Sequence, residues 1–193
     1  MRAAAANLTP VTLELGGKSP AIIGPGARLE HAVERIMVGK LLNAGQTCIA
    51  PDYVLLPRAR MAEFIELAGK AVARMYPQLQ QNAQYASIVS DRQYQRVAAL
   101  RDDAQAAGAR VHALGDATED PARRLLPPQL LTGVDDGMAV MREEIFGPLL
   151  PLLPYDTLDE AIAHVAARAH PLALYLFEED ASHIDRVLAR THA

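Results

Sequence analysis

Cys48 is the only cysteine in the chain and lies in the stretch Leu41-Leu42-Asn43-Ala44-Gly45-Gln46-Thr47-Cys48-Ile49-Ala50-Pro51. A free thiol most often packs as a small hydrophobe, but one in a tight turn between secondary-structure elements is placed where functional groups concentrate. Because an ordinary thiol titrates near ~8.5, a nucleophilic role at neutral pH requires a neighbouring base or dipole. Glu14 is a candidate base. It occupies the strand-like run Val11-Thr12-Leu13-Glu14-Leu15, which breaks at Gly16-Gly17, where missing side chains let backbone or ligand come close. A carboxylate buried at an apolar strand end is shifted toward the working range of a general base. The competing reading is a strand-edge carboxylate paired with Lys18. The third feature is Arg142-Glu143-Glu144-Ile145-Phe146-Gly147-Pro148. Its paired glutamates read as solvated charge, whereas its Gly-Pro turn reads as a rigid, shaped loop leading into a strand.

Composition narrows the rest. The chain has 193 residues, 19 Lys+Arg against 23 Asp+Glu and a formal net charge of −4. That length suits one large domain that buries about 70% of its unfolded surface. A single cysteine excludes an internal disulfide framework and favours a reducing, intracellular setting. No apolar run approaches the ~18 residues of a membrane span, and the first residues lack the apolar core of a secretory signal. The expected location is therefore cytoplasmic. Mild acidity, no tryptophan and no basic stripe argue against nucleic acid as a partner. The histidines at 31, 112, 164, 170, 183 and 192 show no metal-ligand spacing, so no metal is expected. Gly24-Pro25-Gly26 lacks the third glycine and the setting of a dinucleotide fingerprint.

These residues need elements to hold them. Apolar positions at Leu29, Val33, Ile36, Met37 and Leu41 predict an amphipathic helix from Leu29 to Leu42, stopped by Asn43 and Gly45. Further helices are expected at Met61–Met75, Asp91–Ala107, Leu158–Ala167 and Ala181–His192. Strands are expected at 53–56, 110–114, 129–132 and 149–153, and a buried strand at Leu172–Phe177, with a surface loop at 115–124. The alternation predicts an α/β fold: a mostly parallel sheet with helices on both faces. No linker composition divides the chain, so residues 1–193 read as one domain. A helix pattern running to the last residues suggests a portion of a longer polypeptide.

Taken together and in order, LELGGKSP, NAGQTCIAPDY and EEIFGP closely resemble the aldehyde dehydrogenase superfamily. The surrounding APDYVLLP, SDRQYQRV and HPLALYLF are most similar to its class 3 and coniferyl aldehyde dehydrogenase branch, and the resemblance covers practically the whole chain. It implies that Cys48 is the catalytic nucleophile and Glu14 the general base that activates water. It further implies that Glu144 holds the nicotinamide ribose hydroxyls, that Phe146 packs beside the nicotinamide, and that Leu15 and Gly16 line the same site through their backbone. The Cys48 N–H would donate to the oxyanion. The implied cofactor is NAD or NADP, and the implied substrate a small aldehyde, aromatic or medium-chain, oxidised through a cysteine thioester. The resemblance also implies a homodimer or higher assembly for the full-length enzyme, and a cofactor-binding domain that these residues lack. The 193 residues alone should therefore bind NAD weakly and turn over slowly. An NAD-independent thiol esterase and a non-catalytic fragment are the alternative readings.

Overall fold

A computed structural model describes residues 1–193. Six strands form one sheet: β1 (Pro20–Ile23), β2 (Tyr53–Pro57), β3 (Arg110–Ala113), β4 (Gln129–Thr132), β5 (Leu149–Tyr155) and β6 (Tyr175–Phe177). Their spatial order is β3-β4-β5-β2-β1-β6, and every neighbouring pair is parallel except β3 with β4. The α-helices are α1 (Arg2–Ala5), α2 (Leu29–Leu41), α3 (Met61–Met75), α4 (Asp91–Ala106), α5 (Ala139–Arg142), α6 (Leu158–Ala166) and α7 (Ala181–Leu188). The mostly parallel α/β sheet expected from the alternation is what forms. Successive residues of a strand point to opposite faces, and Ala21, Ile22 and Ile23 are all fully buried, as are Val54 and Leu56. Both faces of the central strands are therefore covered.

The helices form where the apolar spacing placed them. In α2 the residues Leu29, Ala32, Val33, Ile36, Met37 and Leu41 are buried on one face, and α3 packs against this helix. Side-chain caps start three others: Ser90 accepts from the Gln93 N–H for α4, Thr157 from Glu160 for α6, and Asp180 from Ser182 and His183 for α7. Each cap satisfies an N–H that the first helical turn leaves without a partner.

Three expectations need correction. The run Val11–Leu15 is not a strand: it is exposed backbone outside the sheet, and the first strand starts at Pro20, beyond the Gly16-Gly17 break. The strand expected at Leu172–Phe177 is shorter, covering Tyr175–Phe177, and only half-buried. It lies at the sheet edge with a single neighbour, β1, so nothing closes its outer side. The last helix ends at Leu188, not His192, and the Thr191 hydroxyl folds back onto the Val187 carbonyl at 2.8 Å.

The Gly24-Pro25-Gly26 turn has a structural use. The Glu178 carboxylate lies against it, accepting from the Gly26 N–H at 3.1 Å and from the Glu179 N–H at 2.7 Å, with His183 Nδ1 at 3.1 Å. Burial alone would favour the neutral acid, but these donors prevail and hold Glu178 below the usual carboxylate range. The start of α7 is thereby tied to the end of β1.

The register decides where the candidate residues gather. Pro20 pairs with Tyr53, Val54 with Leu152, Gln129 with Leu149 and Ala21 with Tyr175. Segments 16–19, 48–52, 144–148 and 170–174 thus all enter the sheet at the amino ends of its parallel strands. Open α/β sheets more commonly place ligands beyond the carboxyl ends.

Candidate active site

The cysteine loop begins with a backbone reversal. After α2, Asn43 and Ala44 both take left-handed conformations (φ 52° and 53°) and Gly45 follows with φ 78°. Gln46 then fixes the loop: its Nε2 donates to the carbonyls of Asn43 at 3.0 Å and Ser87 at 3.1 Å, and its Oε1 accepts from the Val89 N–H at 2.9 Å. Cys48 is half-buried in the next turn, closed by the Ala50 N–H donating to the Thr47 carbonyl at 3.1 Å. The Tyr175 hydroxyl donates to the Ile49 carbonyl at 2.6 Å, tying this turn to β6. The backbone N–H of Cys48 has no acceptor within the chain.

Two contacts join the glutamate loop, residues 143–147, to the other motifs. A Cβ on Gly45 would overlap the backbone of Gly147, so the cysteine loop and the glutamate loop touch main chain to main chain. A Cβ on Gly16, which has φ +68°, would lie 2.6 Å from Glu144 Oε2, so the bare glycine backbone abuts that carboxylate. Burial raises the Glu144 pKa, with Asp52 adding to the effect, while the Gly17 N–H, Lys18 and Arg96 oppose it. Beside Glu144 opens a cleft of about 500 Å³ that Gly17, Met141, Arg142, Arg168 and His170 also line.

Charged residues from three other segments hold this loop. Lys18 pairs with Asp52, correcting the alternative in which it would pair with Glu14. Its Nζ also donates to the carbonyls of Val140 and Glu143, each at 2.8 Å. Asp52, 3% exposed, accepts the Ile145 N–H at 3.0 Å. Arg96, from α4, donates to the Glu144 carbonyl at 3.1 Å and to the Ile145 carbonyl. Lys40 lies wholly buried on the apolar face of α2. Sequence carried a signal for some of these. Lys40 follows Ile36 and Met37 at helical spacing, and Asp52 directly precedes the apolar run of β2. A charge in an apolar setting needs a reason.

The candidate residues fall into two groups. Gly16, Glu144 and the Cys48 loop are brought together around the glutamate loop. Phe146 sits in it with φ 52° and is 36% exposed. Glu14 and Leu15 lie just upstream and are exposed, Leu15 at 83%. Glu14 is not buried, contrary to the expectation for a strand-end base. It makes no hydrogen bond or ion pair, with Cys48 or any other residue, because the strand expected to hold it does not form.

The fold is a mostly parallel α/β sheet with the cysteine loop, the Gly16-Gly17 break and the glutamate loop gathered at the amino ends of its strands. The family model for the aldehyde dehydrogenase family matches residues 1–193, and the chain belongs to that family, whose members use NAD or NADP. It is 51% identical over 194 residues to the probable coniferyl aldehyde dehydrogenase of Caulobacter vibrioides, covering 99% of this chain and 40% of that protein. Among solved structures, the substrate-bound Staphylococcus aureus AldH superposes with a TM-score of 0.91 at 42% identity, over 98% of this chain and 41% of that one. Aldehyde dehydrogenase C of Pseudomonas syringae, solved with NAD+ and octanal, gives 0.83 at 31% identity, over 98% and 40%. The chain thus spans about 40% of the length of the relatives it matches. No helix is long and apolar enough to cross a membrane.

Proposed function

We propose that these residues form the catalytic portion of an aldehyde dehydrogenase that oxidises an aromatic or medium-chain aldehyde to its carboxylate with NAD or NADP. The observation that carries the reading is the convergence of the three motifs on one loop: Gly16 against Glu144, Gly45 against Gly147, and a Cys48 N–H left without an acceptor. The substrate class draws on the coniferyl aldehyde dehydrogenase relative and on the octanal complex.

The residues fit a nicotinamide riboside. Glu144 has only the Gly17 N–H as a close donor, so its carboxylate keeps acceptor sites for a vicinal diol beside the cleft. Phe146 is partly exposed and Gly16 sets bare backbone against Glu144, with Leu15 exposed just upstream. Once bound, the nicotinamide supplies the acceptor for hydride. The share of the relatives that this chain leaves uncovered supports a separate region for the rest of the cofactor, and an assembly of two or more copies belongs to the whole enzyme.

Cys48 Sγ, as the thiolate, adds to the aldehyde carbon. The carbonyl oxygen takes the negative charge, and the free Cys48 N–H donates to it, a type of contact worth about 3 kcal/mol in a water-excluded site. Loss of hydride from that carbon leaves an acyl thioester on Sγ. Glu14 then removes a proton from water, the water oxygen adds to the acyl carbon, and Sγ departs, giving the carboxylate and the free thiol. Exposure leaves Glu14 free to swing toward Sγ, which general-base action through one water requires.

Acylation with an activated aryl ester tests the thiol step without nicotinamide. Intact-mass and peptide analysis should find the acyl group on Cys48 and none on the Cys48→Ala variant. An equal adduct on that variant removes the thiol from the mechanism. Ester turnover that is fast without nucleotide and never coupled to aldehyde oxidation would favour an esterase.

A further inference from the structure

Few contacts hold the turn that carries Cys48. It runs from Thr47 to Ala50, with Cys48 and Ile49 at its two central positions, and the Ala50 N–H closes it on the Thr47 carbonyl at 3.1 Å. Anchors stand before and after it: Gln46 is bonded to Asn43, Ser87 and Val89, and the Asp52 N–H donates to the Ser19 carbonyl at 2.7 Å. Ile49 itself offers little packing, being 53% exposed. One hydrogen bond from outside reaches residues 47–51: the Tyr175 hydroxyl donates to the Ile49 carbonyl at 2.6 Å, across 126 positions of sequence. Tyr175 stands on β6, where the register sets it beside Ala21 of β1. Burial raises its pKa, so the phenol keeps the proton that it donates.

We propose that Tyr175 is a positioning residue for the thiol step, holding the Cys48 turn so that the Cys48 N–H stands ready to donate to the oxyanion. The Ile49 carbonyl and the Ala50 N–H belong to one planar peptide unit. Tyr175 holds the oxygen of that unit and the Thr47 carbonyl holds its N–H, so the plane is fixed at both ends. A carbonyl that accepts a hydrogen bond polarises its own peptide, which strengthens the N–H on the other side and closes the turn more firmly. The Cys48 N–H lies within this closed turn and has no acceptor of its own. A donor set in place beforehand needs no reorganisation when the oxyanion forms. Tyr175 touches neither aldehyde nor nicotinamide in this scheme and acts through the backbone. The link to the oxyanion rests on the reading of Cys48 given above; the hold of Tyr175 on the turn does not.

The test compares two reactions of Cys48 in the 193-residue chain and in Tyr175→Phe, which loses the hydroxyl and keeps the ring. An activated aryl ester must pass through a tetrahedral oxyanion, whereas iodoacetamide alkylates the thiol by displacement at a saturated carbon and forms none. In Tyr175→Phe acylation should slow about five- to tenfold, the range of one neutral hydrogen bond, while alkylation holds within about twofold. The isotope-labelled Ile49 carbonyl carbon, followed by NMR, should move upfield in the same variant. Fluorotyrosine in place of Tyr175 is a stronger donor and should move that carbon downfield; should Tyr175→Phe fail to fold, this shift decides alone. An Ile49 carbon that stays still overturns the proposal, as does acylation that is unchanged or that falls in step with alkylation. Cys48→Ala separates the two ideas: an equal ester adduct on that variant would sink the thiol reading and leave the carbonyl shift standing.

Discussion

Glu14 and Gly16 show how much one residue's surroundings matter. The alternation around Glu14 predicts a buried strand-end acid, whereas the folded chain leaves it exposed on irregular backbone. The chemistry asked of it is limited to one proton from one water, so Glu14→Gln should still acylate at Cys48 but deacylate about 10² to 10⁴ times more slowly. Mass spectrometry would then catch the acyl form accumulating, and normal turnover in that variant would remove Glu14 from the role. Gly16 is constrained twice, by φ +68° and by the Glu144 carboxylate 2.6 Å from where a Cβ would stand. An L side chain in left-handed backbone costs about 1 to 2 kcal/mol. Because this segment is exposed, Gly16→Ala should move it instead of unfolding the chain. The expected result is an unchanged melting temperature with NAD binding weakened roughly tenfold or more by a cost of that size, measured by titration. Unaltered binding would separate Gly16 from the cofactor site.

Among the elements, the lead-ins to the strands carry the site. Lys18 precedes β1, Asp52 precedes β2 and the glutamate loop precedes β5, so one ion pair and its backbone bonds lock three strands at their amino ends. The side chains of Lys18 and Asp52 are 14% and 4% exposed. Removing one member of such a buried pair leaves an uncompensated charge and costs about 3 to 5 kcal/mol. Asp52→Ala should lower stability by that amount in urea unfolding and release the Ile145 amide to fast hydrogen exchange. A loss under about 1 kcal/mol would mean the pair behaves like a solvated surface bridge. The Glu178 tie between β1 and α7 does comparable work at the opposite, carboxyl end of β1, through hydrogen bonds rather than an ion pair with lysine or arginine.

For the whole molecule, pH dependence at the acid side should come partly from His164. It stacks edge-on against Tyr53, with ring centroids 5.5 Å apart, and its Nε2 is buried without a partner. Burial, helped by Arg168, pushes its pKa from 6.5 down to about 4. The unfolded chain therefore binds this proton near pH 6.5 and the folded chain only near 4, so stability is complete above 6.5 and falls as pH drops through that window. Urea midpoints measured across it should decline, and the decline should be shallower in His164→Phe. Identical slopes would show that His164 does not contribute.

Local order gave the helices, the parallel α/β class and the three motifs, because apolar spacing and turn residues act over a few positions and survive without tertiary context. The strand limits were less legible. Leu172 and Leu174 look as apolar as any core strand, yet β6 is an edge, and burial depends on neighbours that sequence does not name. The same holds for Val11–Leu15, whose alternation matches a strand that has nothing to pair with. The site divided in the same way. Cys48, Gly16 and Glu144 could be picked out by residue type and order, while the roles of Lys18, Asp52 and Arg96 emerged only once residues 34 to 125 positions apart met at one end of the sheet. Electrostatic partnership is a matter of distance and burial, and the folded chain alone sets both. Sequence by itself determined which chemistry these residues offer. The tertiary structure decided which charges hold that chemistry in place.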